Sequence, residues 1–179
     1  MSGQTRGSLA GNLIIEPSEF ARRGESRSGQ IAVHFMPRLA EAVLDAKALI
    51  EWQAVGEVAP VSGLAESRSR GWFMDLSITG TLRLRCQRCL EPLDWPVGIA
   101  TRILMMPESA PLPDEELEVE DFDAIPVGHE LNLAELIEDE LLLSLPAAPR
   151  HAQCALPGPA ESSGKPSPFA VLAQLKRSH

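Results

Sequence analysis

The chain has no tyrosine, and its aromatic side chains are five phenylalanines and three tryptophans in 179 residues. That scarcity argues against a surface that reads single-stranded RNA by stacking bases on rings. Cysteine is scarce too. Cys86, Cys89 and Cys154 are three thiols, which cannot make a fully paired disulfide framework. No apolar run reaches membrane-span length, and the opening MSGQTRGSLAGN lacks the apolar core of a secretory signal. The expectation is a cytoplasmic protein with no membrane partner, using its thiols for metal or redox chemistry rather than bridges. Also missing are a Gly-rich phosphate loop, H-E-x-x-H and G-x-S-x-G, so no enzyme activity is expected. His34 lies in an apolar run and reads as a core residue, not a catalytic base.

What is present begins with charge. The net charge of −9 disfavours tight binding to naked nucleic acid, and no DNA partner is expected. The acids are concentrated. Glu108, Asp114, Glu115, Glu116, Glu118, Glu120, Asp121 and Asp123 fall in one stretch with no base, and the remainder is nearly neutral. Arg68, Arg70, Arg83, Arg85 and Arg88 cluster in a segment whose one acid is Asp75.

Residues 1–12 are polar and rich in Ser and Gly, and are expected to be disordered. The rest, 13–179, reads as one domain, with 107–128 an acidic, aperiodic loop or linker inside it. MPRLAEAVLD (36–45) predicts a short helix with Pro37 in its first turn and Leu39, Val43 and Ala46 as its buried stripe. In 48–60, Ala48, Ile50, Trp52 and Ala54 share one face at period two, which predicts a strand. The clearest signal is FMDLSITGTLRLRC (73–86). Leu76, Ile78, Leu82, Leu84 and Cys86 share one face; Ser77, Thr79, Thr81, Arg83 and Arg85 share the other. Leu93, Trp95, Val97, Ile99, Ile103 and Met105 repeat the alternation. The two runs form a β-hairpin with C-x-x-C at its tip, and Pro96 places part of the second strand at an edge or bulge.

Helix returns over 132–145. Asn132 is its cap, with Glu135 three residues on; Leu133, Leu136, Ile137 and Leu141 make the apolar stripe. Glu135, Glu138 and Asp139 read as its solvent face. A last helix is predicted over 169–177, introduced by Ser167 and Pro168. The fold class expected is α+β, a mainly antiparallel β-sheet with the C-x-x-C hairpin, covered by a few helices.

Three readings of C-x-x-C compete. A thioredoxin-type pair needs a helix N-terminus to stabilise its thiolate, and here a strand precedes the pair while Pro92 and a second strand follow. A zinc site needs four ligands, and H-x-x-C downstream supplies the missing two, giving Cys86, Cys89, His151 and Cys154. Inert thiols on a turn are the third reading. Arg83, Arg85 and Arg88 lie on the strand's polar face and at the hairpin tip. They are candidates for RNA phosphate contacts, or else pair with the protein's own carboxylates. The acidic stretch is a solubilising linker or a surface for a basic protein.

Three segments, LRCQRCLEPL, ELIEDELLLSLPAAPRH and GKPSPFAVLAQLKR, together resemble the YceD family, the large ribosomal RNA subunit accumulation proteins. The resemblance runs from about residue 50 to the C-terminus. It implies a non-enzymatic ribosome-biogenesis role in the synthesis, processing or stability of 23S rRNA. The partner would be large-subunit rRNA or a pre-ribosomal particle, met directly or through a ribosomal protein. The alternative is an adaptor that binds a basic ribosomal protein through the acidic loop and C-terminal helix. Many members are expected to carry a second cysteine pair after the helix; this sequence has Cys154 with His151 there instead.

Overall fold

The computed structural model describes residues 13–61, 70–109 and 122–156. The elements run β1 (Ile14–Ile15), α1 (Pro17–Arg22), β2 (Ser26–Ala32), a 3-10 turn (Val33–Phe35), α2 (Pro37–Ala42) and β3 (Leu49–Pro60). They continue with β4 (Arg70–Arg85), β5 (Pro92–Pro107), β6 (Asp123–Val127), β7 (Leu131–Asn132) and α3 (Leu133–Ser144). The expected α+β class and its hairpin are both present.

A five-stranded sheet in the order β2-β3-β4-β5-β6 is antiparallel except for β6, which runs parallel to β5. The period-two pattern decides which face is buried. Along β4, Leu76, Ile78, Leu82 and Leu84 are buried while Ser77, Thr79, Thr81, Arg83 and Arg85 are exposed. The long β4–β5 ribbon pairs Trp72 with Met105 at one end and Arg85 with Pro92 at the other, so the cysteines stand where the ladder stops. The inner face meets the helices in one core that joins Ile50, Trp52, Ile78 and Ile103 to Phe20, Leu39, Ile137 and Leu141. A smaller cluster of Val61, Phe73, Leu104 and Met106 sits apart. Each such fully buried side chain contributes roughly 1.5–3 kcal/mol. Gly56 lets α1 approach, because a Cβ there would collide with the Phe20 carbonyl.

β1 pairs with β7, Ile14 opposite Asn132, and so ties the start of the described chain to the start of α3. Asn132 caps α3 as expected: its Oδ1 accepts the Ala134 N–H at 3.0 Å. Glu135 does not reach back to the Asn132 backbone; it accepts from the Asn132 side-chain amide at 2.8 Å.

Several expectations need correction. The helix expected over 36–45 stops at Ala42: Val43 is already extended, and the Leu44 N–H donates to the Arg83 carbonyl of β4 at 2.6 Å. The stretch 107–128 is not loop throughout. Its described part contains β6, whose Ala124, Ile125 and Val127 pack on the two apolar clusters. Pro126 masked that strand in the sequence, yet proline is tolerated in a short strand at a sheet edge. His34 is exposed rather than in the core, and its ring lies tilted against that of the exposed Phe35 with centroids 4.1 Å apart. Glu138 is buried at 3% exposure instead of facing solvent. Residues 1–12, most of the acidic run and the helix expected over 169–177 lie outside the described residues. Among the described residues, no helix is long and apolar enough to cross a membrane.

Candidate metal centre

Cys86 directly follows β4 in the phase of its inward face, and Cys89 lies on the turn that comes next. The turn closes on itself: the Cys86 N–H donates to the Glu91 carbonyl at 2.9 Å, and the Leu90 N–H to the Cys86 carbonyl at 3.0 Å. Leu90 takes a left-handed φ of 66°, the bend that returns the chain to β5. No helix starts at either cysteine, so the dipole that activates a thioredoxin-type thiol is missing. The segment after α3 folds back onto this tip, where the Gln87 N–H donates to the Pro149 carbonyl at 2.8 Å.

That return brings together the four predicted ligands. The ligand atoms of Cys86, Cys89, His151 and Cys154 all lie within 4.8 Å of one another. Cys86 and Cys154 sulfurs are 3.7 Å apart, and Cys89 Sγ is 3.3 Å from His151 Nδ1. Two sulfurs bound to one tetrahedral zinc at ~2.3 Å stand about 3.8 Å apart. The Cys86–Cys154 separation matches that edge. His151 Nε2 lies 3.0 Å from the Pro92 carbonyl, which can only accept. The proton therefore sits on Nε2, and the Nδ1 lone pair is turned toward the thiols, as a metal-binding imidazole requires.

The sulfurs are prepared electrostatically. Burial pushes the Cys86 thiol up, but backbone N–H groups of Cys89, His151 and Arg88, with the Cys89 thiol, outweigh it and hold the group at about 5. The Glu91 N–H pulls Cys89 down, yet burial and sharing with Cys86 and Cys154 leave that thiol above its ordinary value. A bound metal ion would remove this competition by taking all three as thiolates. The residues fit a structural zinc: three soft thiolates and one imidazole, four protein ligands with no position left open for a substrate.

Arg88 is placed differently from its two neighbours. Its Nε donates to Cys154 Sγ at 2.9 Å and its Nη2 to the His151 carbonyl at 3.1 Å. Cys154 in turn holds the guanidinium above its ordinary value. Three thiolates on a divalent ion would leave one negative charge, which this guanidinium is placed to offset. Arg83 and Arg85 project into solvent from β4; Arg83 has Asp94 at 3.8 Å, and Arg85 has no ion-pair partner among the described residues. Sequence reasoning missed the inward turn of Arg88 and the part played by the Pro92 carbonyl. Arg88 inside C-x-x-C was the available signal; a backbone carbonyl leaves none.

A second concavity, of about 400 Å³, lies over β3, β4 and β5. Its one cation, Arg102, is already held by Asp75 at 3.0 Å and by Glu57.

The family model described as "Large ribosomal RNA subunit accumulation protein YceD" matches residues 74–176, which include the hairpin tip, α3 and all four candidate ligands. The chain belongs to the YceD family. A YceD relative bearing that same description, from Haemophilus influenzae, is 28% identical over 180 residues, covering 92% of this chain and 95% of its own length. No solved structure matches the chain. Within this YceD chain, the four candidate ligands join the hairpin tip to the segment beyond α3.

Proposed function

We propose that the protein is a non-enzymatic ribosome-biogenesis factor of the cytoplasm that supports accumulation of 23S rRNA of the large subunit. The observation that carries this reading is the family match across residues 74–176. The closed ligand set supports it, since a zinc held by four side chains has no coordination site for chemistry. Where RNA is touched directly, Arg83 and Arg85 are the contacts. They are exposed on one face of β4, roughly 7 Å apart along the strand, and guanidinium forks suit phosphate oxygens. Arg88 serves the metal centre instead. Depletion of the protein should lower 23S relative to 16S rRNA, with recovery on re-expression; an unchanged ratio would overturn the reading.

The acidic run favours a second reading, an adaptor for a basic ribosomal protein. Complexes recovered at moderate salt separate the two. A protein partner stays bound after nuclease treatment, whereas an RNA-bridged complex dissolves.

A further inference from the structure

Residues 146–156 leave the core behind. None of them is buried, and none belongs to either apolar cluster, whose last member is Leu145 at the end of α3. What ties the segment down is polar and converges on the hairpin tip. The Pro149 carbonyl receives the Gln87 N–H, the His151 carbonyl receives Arg88, and the His151 ring reaches the Pro92 carbonyl. Cys154 meets Cys86 and Arg88. A few hydrogen bonds do not repay the ordering of so many backbone residues, whereas a zinc–thiolate centre does. The sheet, by contrast, has its own core and owes nothing to the metal for its apolar packing.

We propose that the centre is a removable clasp: zinc bound by Cys86, Cys89, His151 and Cys154 docks residues 146–156 on the hairpin tip. Loss of zinc releases that segment while the sheet stays folded. Zinc occupancy thus sets whether residues 146–156 lie on the hairpin tip, and the device is independent of what the protein binds.

Arg150 provides the readout, being exposed in the middle of the segment. The full-length chain should take up one zinc ion. Trypsin should then cut after Arg150 at least tenfold more slowly in zinc-loaded protein than after chelation. Arg83 and Arg102, in the β4–β5 ribbon, should stay equally protected in both forms, and the amide of Gln87 should exchange faster without zinc. Cys154→Ser, at a half-exposed ligand, should behave as the chelated form even with zinc present, and spares the buried Cys86. Three results would overturn the proposal: no zinc uptake, equal cleavage at Arg150 with and without zinc, or loss of ribbon protection on chelation. The last would make zinc a foundation of the fold and not a clasp.

Discussion

Glu138 holds Arg38 at three points: Oε1 accepts the Arg38 backbone N–H at 2.7 Å, and Oε2 accepts Nε and Nη2 at 3.0 and 2.8 Å. Oε1 also accepts the Leu39 N–H at 3.0 Å. A helix-α3 carboxylate therefore caps the first turn of α2, which begins at Pro37 without a side-chain cap of its own. Burial pushes the Glu138 carboxyl up, but the Leu39 N–H, the Arg38 guanidinium and the Arg38 N–H outweigh it and hold the group below its ordinary value.

Glu138→Ala is expected to destabilise the fold by about 2 kcal/mol, the cost of leaving buried N–H donors unpaired. The larger penalty of a fully buried ion pair does not apply, because the Arg38 side chain is 54% exposed. Urea unfolding of the two proteins measures the difference.

The same pair predicts a pH signature. A carboxylate whose folded pKa is depressed stabilises fully above the unfolded value of about 4.3, and that contribution is lost as pH falls through the folded value. The stability gap between wild type and Glu138→Gln should be constant from neutral pH to about pH 5, then close in more acid solution. A gap that widened on acidification would contradict the assignment.

Arg88→Ala should weaken zinc binding roughly 10–100-fold, the usual effect of losing an outer partner of a ligand. Arg88→Lys should recover part of the loss, as it restores charge without the fork. Competition against a chromophoric chelator reports both values. Cobalt substitution should give the intense visible bands of a four-coordinate, thiolate-rich site.

Arg83→Glu with Arg85→Glu should reduce 23S accumulation while shifting stability by no more than about 0.5 kcal/mol, as expected for exposed side chains. Complementation of a depleted strain, paired with a denaturation curve, tests both halves.

Two glycines should respond oppositely to alanine. At Gly56 a Cβ meets the Phe20 carbonyl, backbone that cannot swing aside, so Gly56→Ala should cost about 1–3 kcal/mol. At Gly98 a Cβ meets nothing within 4 Å, and Gly98→Ala should stabilise by about 0.4–1 kcal/mol through the unfolded chain. Thermal unfolding of the two variants decides it.

Alternation made the hairpin legible, since every inward position of 76–84 but Gly80 carries a buried apolar side chain and every outward one is polar. The metal set was legible through two short cysteine and histidine spacings. The fold then supplied what no spacing contains, the return of 149–154 onto the turn. β2 escaped notice because Gly29 lies beneath the Trp52 ring and offers no apolar side chain of its own. β6 was hidden by a proline and its acidic flank. Glu138 looked like solvent face because its partners are backbone N–H groups about a hundred positions earlier, which no helical periodicity reports.

The outer flank of β5 has a consequence for solubility. β6 pairs only with Ile103–Pro107, so among the described residues no strand pairs with Pro92–Arg102 on that side, and only the His151 ring meets the Pro92 carbonyl. Pro92 and Pro96 share a phase, and the N–H groups they lack fall on the same side of the strand. A second molecule seeking to extend the sheet there would find gaps in its ladder, which guards the β4–β5 ribbon against strand-by-strand aggregation.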